Sequence, residues 1–268
     1  MNLQSAIPSS VSPIAQAGLI SKGVVYCLLG ALAFMSAFEI GGQSDEDASK
    51  KGVFDLIEGV GGKLLLGILA LGLFCYTAWR LIQAAREGRK TKDATKKSGK
   101  VIRYLFSAIV YCLLAVYAAK RFFGNGDKGG GDSTQSTVSE LMSKPFGDWL
   151  VGLLGLALAI TGIYQIYYGL SGKYRKHVQD LSLHSTASRN LLRAGKIGYV
   201  ARGIVWLMLS WLLFRAAFQS DSGEAGDTGK AFHFLETASF GSYLLGALGI
   251  GLICYGLFNF IRARFERF

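Results

Sequence analysis

The sequence predicts an all-α polytopic membrane protein: six transmembrane helices forming three parallel helical-hairpin repeats with approximate threefold pseudosymmetry. Three observations predict it. Six apolar runs, roughly residues 18–38, 63–84, 101–123, 146–170, 197–218 and 240–261, each hold about the 20 residues a helix needs to cross a bilayer core. Charge sits between these runs and is not spread along amphipathic faces, in a chain that is 51% hydrophobic with a mean hydropathy of +0.33. One apolar pattern is written three times: "VVYCLLGALAF" from Val24, "IVYCLLAVYAA" from Ile109 and "IVWLMLSWLLF" from Ile204. Lipid offers no partner to a backbone N–H or C=O, so runs of this length are helices.

The elements follow in order. Residues 1–14 form an N-terminal tail, "MNLQSAIPSSVSPI", with no basic stretch ahead of an apolar segment. A cleaved leader is therefore not expected, and the first span serves as an uncleaved insertion signal. Membrane repeats occupy 15–95, 96–185 and 186–268, forming one membrane domain. Placing Tyr26 on Tyr111 and Trp206 aligns the odd helices without a gap, so that Phe38, Phe123 and Phe218 also coincide. The even helices are "GILALGLFCYTAWRLIQA" from Gly67, "GLLGLALAITGIYQIYYG" from Gly152 and "GALGIGLICYGLFNFIRA" from Gly246. They begin 41, 41 and 40 residues after those aromatic markers. Two spans per unit make every copy enter the membrane in the same direction, so the repeats are related by an axis along the membrane normal.

A short amphipathic stretch precedes each even helix: "GVFDLIEGV", "STVSELMSKP" and "KAFHFLETAS", with Leu56, Leu141 and Leu235 in equivalent places. These are expected to lie on the outer face as interfacial helices, their apolar side chains dipping into lipid. The tip "GNGDKGGGDSTQST" from Gly124 is expected to be a flexible solvated loop.

Charge alternates from one connection to the next. Residues 86–103 carry eight Lys/Arg against Glu87 and Asp93, and residues 171–196 carry six against Asp180. The other connections are acidic: 39–60 nets −4, 124–146 nets −1 and 219–239 nets −3. The positive-inside rule then places both termini and the two basic loops in the cytoplasm. The formal charge of +11 is thus accounted for by topology, and no nucleic acid is expected. Anionic lipid headgroups are the expected partners of the basic loops, at about 1 kcal/mol per nearby cation. A protein partner or a second copy of the chain is the other expectation.

The triplicated unit, with "GYVARGIVW" at Gly198 and "YTAWRLIQA" at Tyr76, resembles the bacterial family called domain of unknown function 1206. The resemblance covers nearly the whole chain after residue 14 and implies three membrane-helix pairs in a bacterial inner membrane. The third copy fits the odd-helix pattern best, through Gly198, Tyr199, Arg202 and Gly203. The first keeps Gly18 and Gly23 with Lys22 in place of the arginine; the second has Arg103, Ser107 and Ala108 at these places. The resemblance brings no activity or catalytic residue with it.

Candidate binding residues come from polar positions within the spans. Lys22, Ser107 and Arg202 share one repeat position in the odd helices, and Arg80, Gln165 and Asn259 share one in the even helices. A charge at mid-bilayer costs roughly 2.5–3.5 kcal/mol on insertion scales, so such groups sit where relief is available. One reading is a polar ring about the axis, three cations and three neutral donors, suited to a phospholipid headgroup or small anion. The other is that each side chain snorkels to the headgroups and anchors its helix.

The remaining residue types exclude chemistries. No Asp or Glu lies deep in a span, which argues against an ion-driven pump. His177, His184 and His233 all fall in connections, so neither a haem nor another metal site is expected. Cys27 and Cys112 are equivalent, as are Cys75 and Cys254, and without CxxC spacing they read as packing residues. No catalytic residue and no cofactor is assigned. Small residues at Gly67, Ala70 and Thr77, at Gly152, Gly155 and Gly162, and at Gly246, Gly249 and Gly256 form a face on each even helix. Such faces are expected to pack within the bundle. Trp79, Tyr164 and Phe258 near one boundary, with Trp149 and Tyr243 near the other, read as an interfacial belt. The expected function is that of a non-enzymatic inner-membrane protein that binds lipid or a protein partner; the alternative is a passive channel or carrier for a small anionic solute.

Overall fold

A computed structural model describes residues 11–40, 50–90, 94–124, 133–178 and 186–266. Its helices are α1 (Val11–Ala37), α2 (Lys50–Lys90), α3 (Ala94–Phe122), α4 (Ser133–Met142), α5 (Gly147–Leu170), α6 (Thr186–Gln219), α7 (Thr228–Glu236) and α8 (Gly241–Phe265). Six of them are long and apolar enough to cross a membrane: α1, α2 from Gly62 onward, α3, α5, α6 and α8. The chain is a multi-pass, all-helical membrane protein.

The helices do not pack mainly as the hairpins that the sequence order suggests. The largest interfaces are α2 with α3, α5 with α6 and α8 with α1. Each joins the even helix of one copy to the odd helix of the next, and the third closes the end of the chain onto its beginning. Smaller interfaces form inside copies, between α1 and α2 and between α6 and α8. The second copy forms no such interface: α3 and α5 stand at opposite ends of the arc α3–α2–α1–α8–α6–α5.

Small residues explain why the interlocking contacts are close. A Cβ on Gly249 would lie 2.7 Å from the Gly30 carbonyl oxygen, and one on Gly256 would lie 2.7 Å from that of Gly23. The equivalent crossings between α5 and α6 are Gly162 against Gly203 and Gly155 against Ser210, whose hydroxyl donates to the Gly155 carbonyl at 2.8 Å. In lipid, close backbone approach gains the van der Waals contact that holds helices together. Gly62, Gly67 and Gly72, five residues apart in α2, each do something different. Gly62 breaks α2 with φ 62°, Gly67 faces Phe122 of α3, and Gly72 faces Ser21 of α1. These are three separate roles on different faces.

The short amphipathic stretches differ from their expected placement. They are helical, as the first part of α2, α4 and α7, but their apolar faces turn inward. Val53, Phe54 and Phe232 are fully buried in the main core, and Val138 belongs to a smaller core with Val151, Leu213 and Ala216. Leu141 and Leu235 are half-buried against those cores, while Leu56 is exposed. Tucking these faces under the bundle replaces lipid contact with protein packing. Arg121 pairs with Asp55, tying the end of α3 to this layer. The central part of the "GNGDKGGGDSTQST" segment, residues 125–132, lies outside the described residues.

The turn from α7 into α8 has no spare room. Phe240 adopts φ 62°, and a Cβ on Gly241 would run into the Glu236 carbonyl oxygen. Gly241→Ala is expected to lift α7 from the bundle. Hydrogen–deuterium exchange should then rise several-fold across Thr228–Glu236 and stay unchanged in the second half of α8. Equal exchange in both proteins would mean that the corner yields without releasing α7.

Candidate functional site

The basic side chains within the spans converge on tyrosines. Lys22 of α1, at 1% exposure, donates from Nζ to the Tyr76 hydroxyl of α2 at 2.9 Å. It also stands 4.8 Å from the centroid of the Tyr76 ring, 5.1 Å from that of Tyr111 and 5.2 Å from that of Tyr255. Arg202 of α6 donates from Nε to Tyr26 at 2.9 Å and from Nη1 to Tyr255 at 2.6 Å. Arg80 of α2 donates from Nε to Tyr76 at 2.8 Å and from Nη1 to Gln83 Oε1 at 2.7 Å. Lys22 therefore does not snorkel; it is enclosed by aromatic faces, where a cation gains from the ring quadrupole.

The four phenols meet near the middle of the bundle. Tyr26 and Tyr255 pack edge to face at 4.8 Å, and Tyr76 and Tyr111 do so at 4.5 Å. Tyr111 donates to the Tyr26 hydroxyl at 3.4 Å. Four helices thus contribute one tyrosine each, and repeat symmetry is visible in the pattern: Tyr26 and Tyr111 are equivalent, as are Tyr76 and Tyr255. Sequence reading used Tyr26 and Tyr111 as alignment markers and missed all four tyrosines as the partners of the basic groups. Their shared depth with Lys22 and Arg202 was the available signal.

Donors outnumber acceptors here. Phenol oxygens accept every bond from Lys22, Arg202 and Arg80 except the one to Gln83. No carboxylate pairs with these three residues among the described residues. Glu266, the nearby carboxylate, is held by Arg262 at 2.7 Å. Each phenol has its own O–H to donate; that of Tyr111 goes to Tyr26, whereas no described bond uses those of Tyr76 and Tyr255.

The neutral positions are placed differently from the expected ring. Asn259 is fully buried, and its Nδ2 donates to the Tyr255 carbonyl at 2.7 Å, a bond within α8. Its Oδ1 has no partner, nor does Oε1 of Gln165, which is 7% exposed. Ser107 is half-buried. Polar contact links the three basic residues to phenols, not to Gln165, Asn259 or Ser107. Of the expected aromatic belt, Trp79 and Phe258 are buried in the protein, whereas Tyr164, Trp149 and Tyr243 are exposed. Phe258 packs edge to face on Tyr174 at 5.4 Å, inside an aromatic cluster with Tyr199.

The glycine faces point at the neighbouring copy. Gly246 and Gly67 face Phe38 and Phe122, a Cβ on Gly152 would stand 3.8 Å from the Ala217 methyl, and Ala70 and Thr77 are buried. Cys27, Cys75, Cys112 and Cys254 are half-buried free thiols, and Cys27 contacts the Ile253 carbonyl at 3.8 Å. His184 lies outside the described residues; among those described, no three His, Cys, Asp or Glu side chains cluster.

The chain resembles known sequences along nearly its whole length. A protein of Bacillus subtilis (strain 168) described as uncharacterized protein YxxB is 27% identical over 249 residues, covering 93% of this chain and 89% of that protein. No solved structure matches. The family model described as Domain of Unknown Function (DUF1206) matches three times, at residues 17–87, 102–172 and 197–266. Each match begins in an odd helix and ends within or just beyond the following even one, so the threefold repeat seen in sequence and packing is the family unit, and the chain belongs to the DUF1206 family.

Proposed function

We propose that this membrane protein binds an anionic group, foremost a lipid headgroup, at the tyrosine-lined basic centre formed by Lys22, Arg202 and Arg80, and that it is not an enzyme. One observation carries the reading: a buried lysine and two half-buried guanidinium groups have phenols and one amide oxygen, and no carboxylate, as their described partners. A guanidinium stays protonated in a protein, and burying it without a counter-charge is costly. A bound phosphate or carboxylate offsets that cost and accepts the O–H groups of Tyr76 and Tyr255. The tyrosine rings pack edge to face between these helices, which supports holding an anion over passing it through.

Native mass spectrometry of the gently solubilised protein tests this reading beside Arg202→Gln, which keeps hydrogen-bond donors and removes the charge. A discrete retained mass in the wild type, absent from the variant, is the expected result. Bare protein in both samples, together with no stabilisation by any anion in a thermal panel, would sink it.

A further inference from the structure

The second copy explains its own open geometry. In the first and third copies the two spans approach through small residues: Gly18 lies against Tyr76 and Ser21 against Gly72, as Gly198 does against Tyr255 and Ala201 against Gly251. The equivalent residues of α3 are Arg103 and Phe106, and those of α5 are Thr161 and Ala157. A guanidinium stem and a phenyl ring replace two small residues, so α3 and α5 do not close on one another.

The consequence is a lateral seam. Leu154 of α5 is 46% exposed, whereas its equivalents Leu69 and Leu248 are each 5% exposed. The central windows of α3 and α5 are buried over 22% and 17% of their residues, against 44–56% for the other spans. The seam is apolar along its length and basic at one end. There Arg103 donates to the Tyr164 hydroxyl at 2.6 Å, bridging the two helices. From this end a chain of contacts runs inward. Phe106 packs on Trp206 at 5.9 Å, and Trp206 lies 5.7 Å from the Arg202 guanidinium. Arg202 in turn bonds the tyrosines around Lys22.

We propose that an acidic phospholipid occupies this seam, its acyl chains along α3 and α5 and its phosphate directed past Phe106 toward Arg202. This rests on the anion-binding reading above and names the ligand and its route. Charge complementarity selects the occupant: a phosphate answers Arg103 and Arg202, which a second copy's apolar helix would leave unanswered. The buried Gln165 supplies a second, independent sign. Its Oε1 has no partner, and it belongs to the stretch of α5 from Gly162 to Ile166 that packs on Gly203, the residue after Arg202. An oxygen there takes a hydrogen bond from a hydroxyl, such as those of a glycerol headgroup.

The test uses the full chain in nanodiscs containing phosphatidylglycerol, followed by native mass spectrometry. Wild type is compared with Arg202→Gln, with Arg103→Gln at the mouth of the seam, and with Leu154→Trp, which fills it from the lipid side. The expected result is retained phosphatidylglycerol in the wild type and loss of retention, by roughly tenfold or more, in all three variants. Should Leu154→Trp unfold, Arg103→Gln alone decides the route. Equal retention in the seam variants with loss in Arg202→Gln would overturn the route while leaving the anionic centre intact. A wild type that retains no lipid but binds inorganic phosphate by calorimetry would overturn the lipid and keep the centre. Binding of neither would overturn both.

Discussion

Gly249→Leu is expected to prevent α8 from closing on α1 and to unfold the bundle at markedly lower denaturant or temperature. A Cβ at this position already comes within 2.7 Å of the Gly30 carbonyl and 2.9 Å of the Phe34 backbone nitrogen, both parts of a helix that cannot step aside. Overpacking typically costs 1–3 kcal/mol where side chains can shift, so a backbone-to-backbone collision is expected at about the top of that range or beyond. Gly152→Ala is the matched control, because its nearest contact, the Ala217 methyl, lies at an ordinary 3.8 Å. Thermal unfolding in detergent, followed by circular dichroism, checks both. Similar melting temperatures for the two variants would mean that the α1–α8 crossing is not a main support of the fold.

Lys22→Met should act in the opposite sense on stability while damaging binding. Met is close to Lys in length and can fill the space between the Tyr76, Tyr111 and Tyr255 rings without a buried polar group to satisfy. Tyr76 keeps Arg80 as a donor, so the substitution leaves no accepting oxygen stranded. Replacing buried ionic groups by apolar ones of similar volume is often neutral or stabilising by about 1–4 kcal/mol. The melting temperature of ligand-free protein should therefore hold or rise, and anion retention should fall. A variant that is both less stable and unimpaired in binding would contradict the assignment of Lys22 to the centre. A residue retained at a cost in stability is the pattern expected of a binding site rather than of a packing core.

The sequence makes some features legible and hides others for identifiable reasons. Run length and the recurrence of Tyr26, Tyr111 and Trp206 are enough to specify six spans in three copies, because a bilayer leaves the backbone no alternative. The pairing of helices is harder to see, since each small-residue face suits any close neighbour. That Gly249 meets Gly30 across more than 200 residues is not a local property of either helix. The open second copy was nevertheless written in the chain: Arg103 and Phe106 stand where Gly18, Ser21, Gly198 and Ala201 stand in the other copies. At the site, Lys22, Arg80 and Arg202 stand out as basic residues in apolar runs, whereas their tyrosine partners resemble ordinary aromatic residues near a membrane boundary. Trp79 and Phe258 show the same ambiguity from the other side, buried where an interfacial place was expected.

The joining of α8 to α1 also bears on how the chain is made. About 200 residues separate the end of α1 from the start of α8, which at roughly 5–20 residues per second corresponds to roughly 10–40 s of synthesis. Through that interval the first span waits in the bilayer with the glycine face around Gly23 and Gly30 uncovered and with Lys22 lacking its Tyr255 contact. The α1–α2 interface, with Tyr76 against Gly18, is available from the first copy onward and shelters the lysine meanwhile. A nascent chain cut short before α8 should consequently stay inserted yet remain two unjoined groups, α3–α2–α1 and α6–α5, a substrate for membrane quality-control proteases until its last helix arrives.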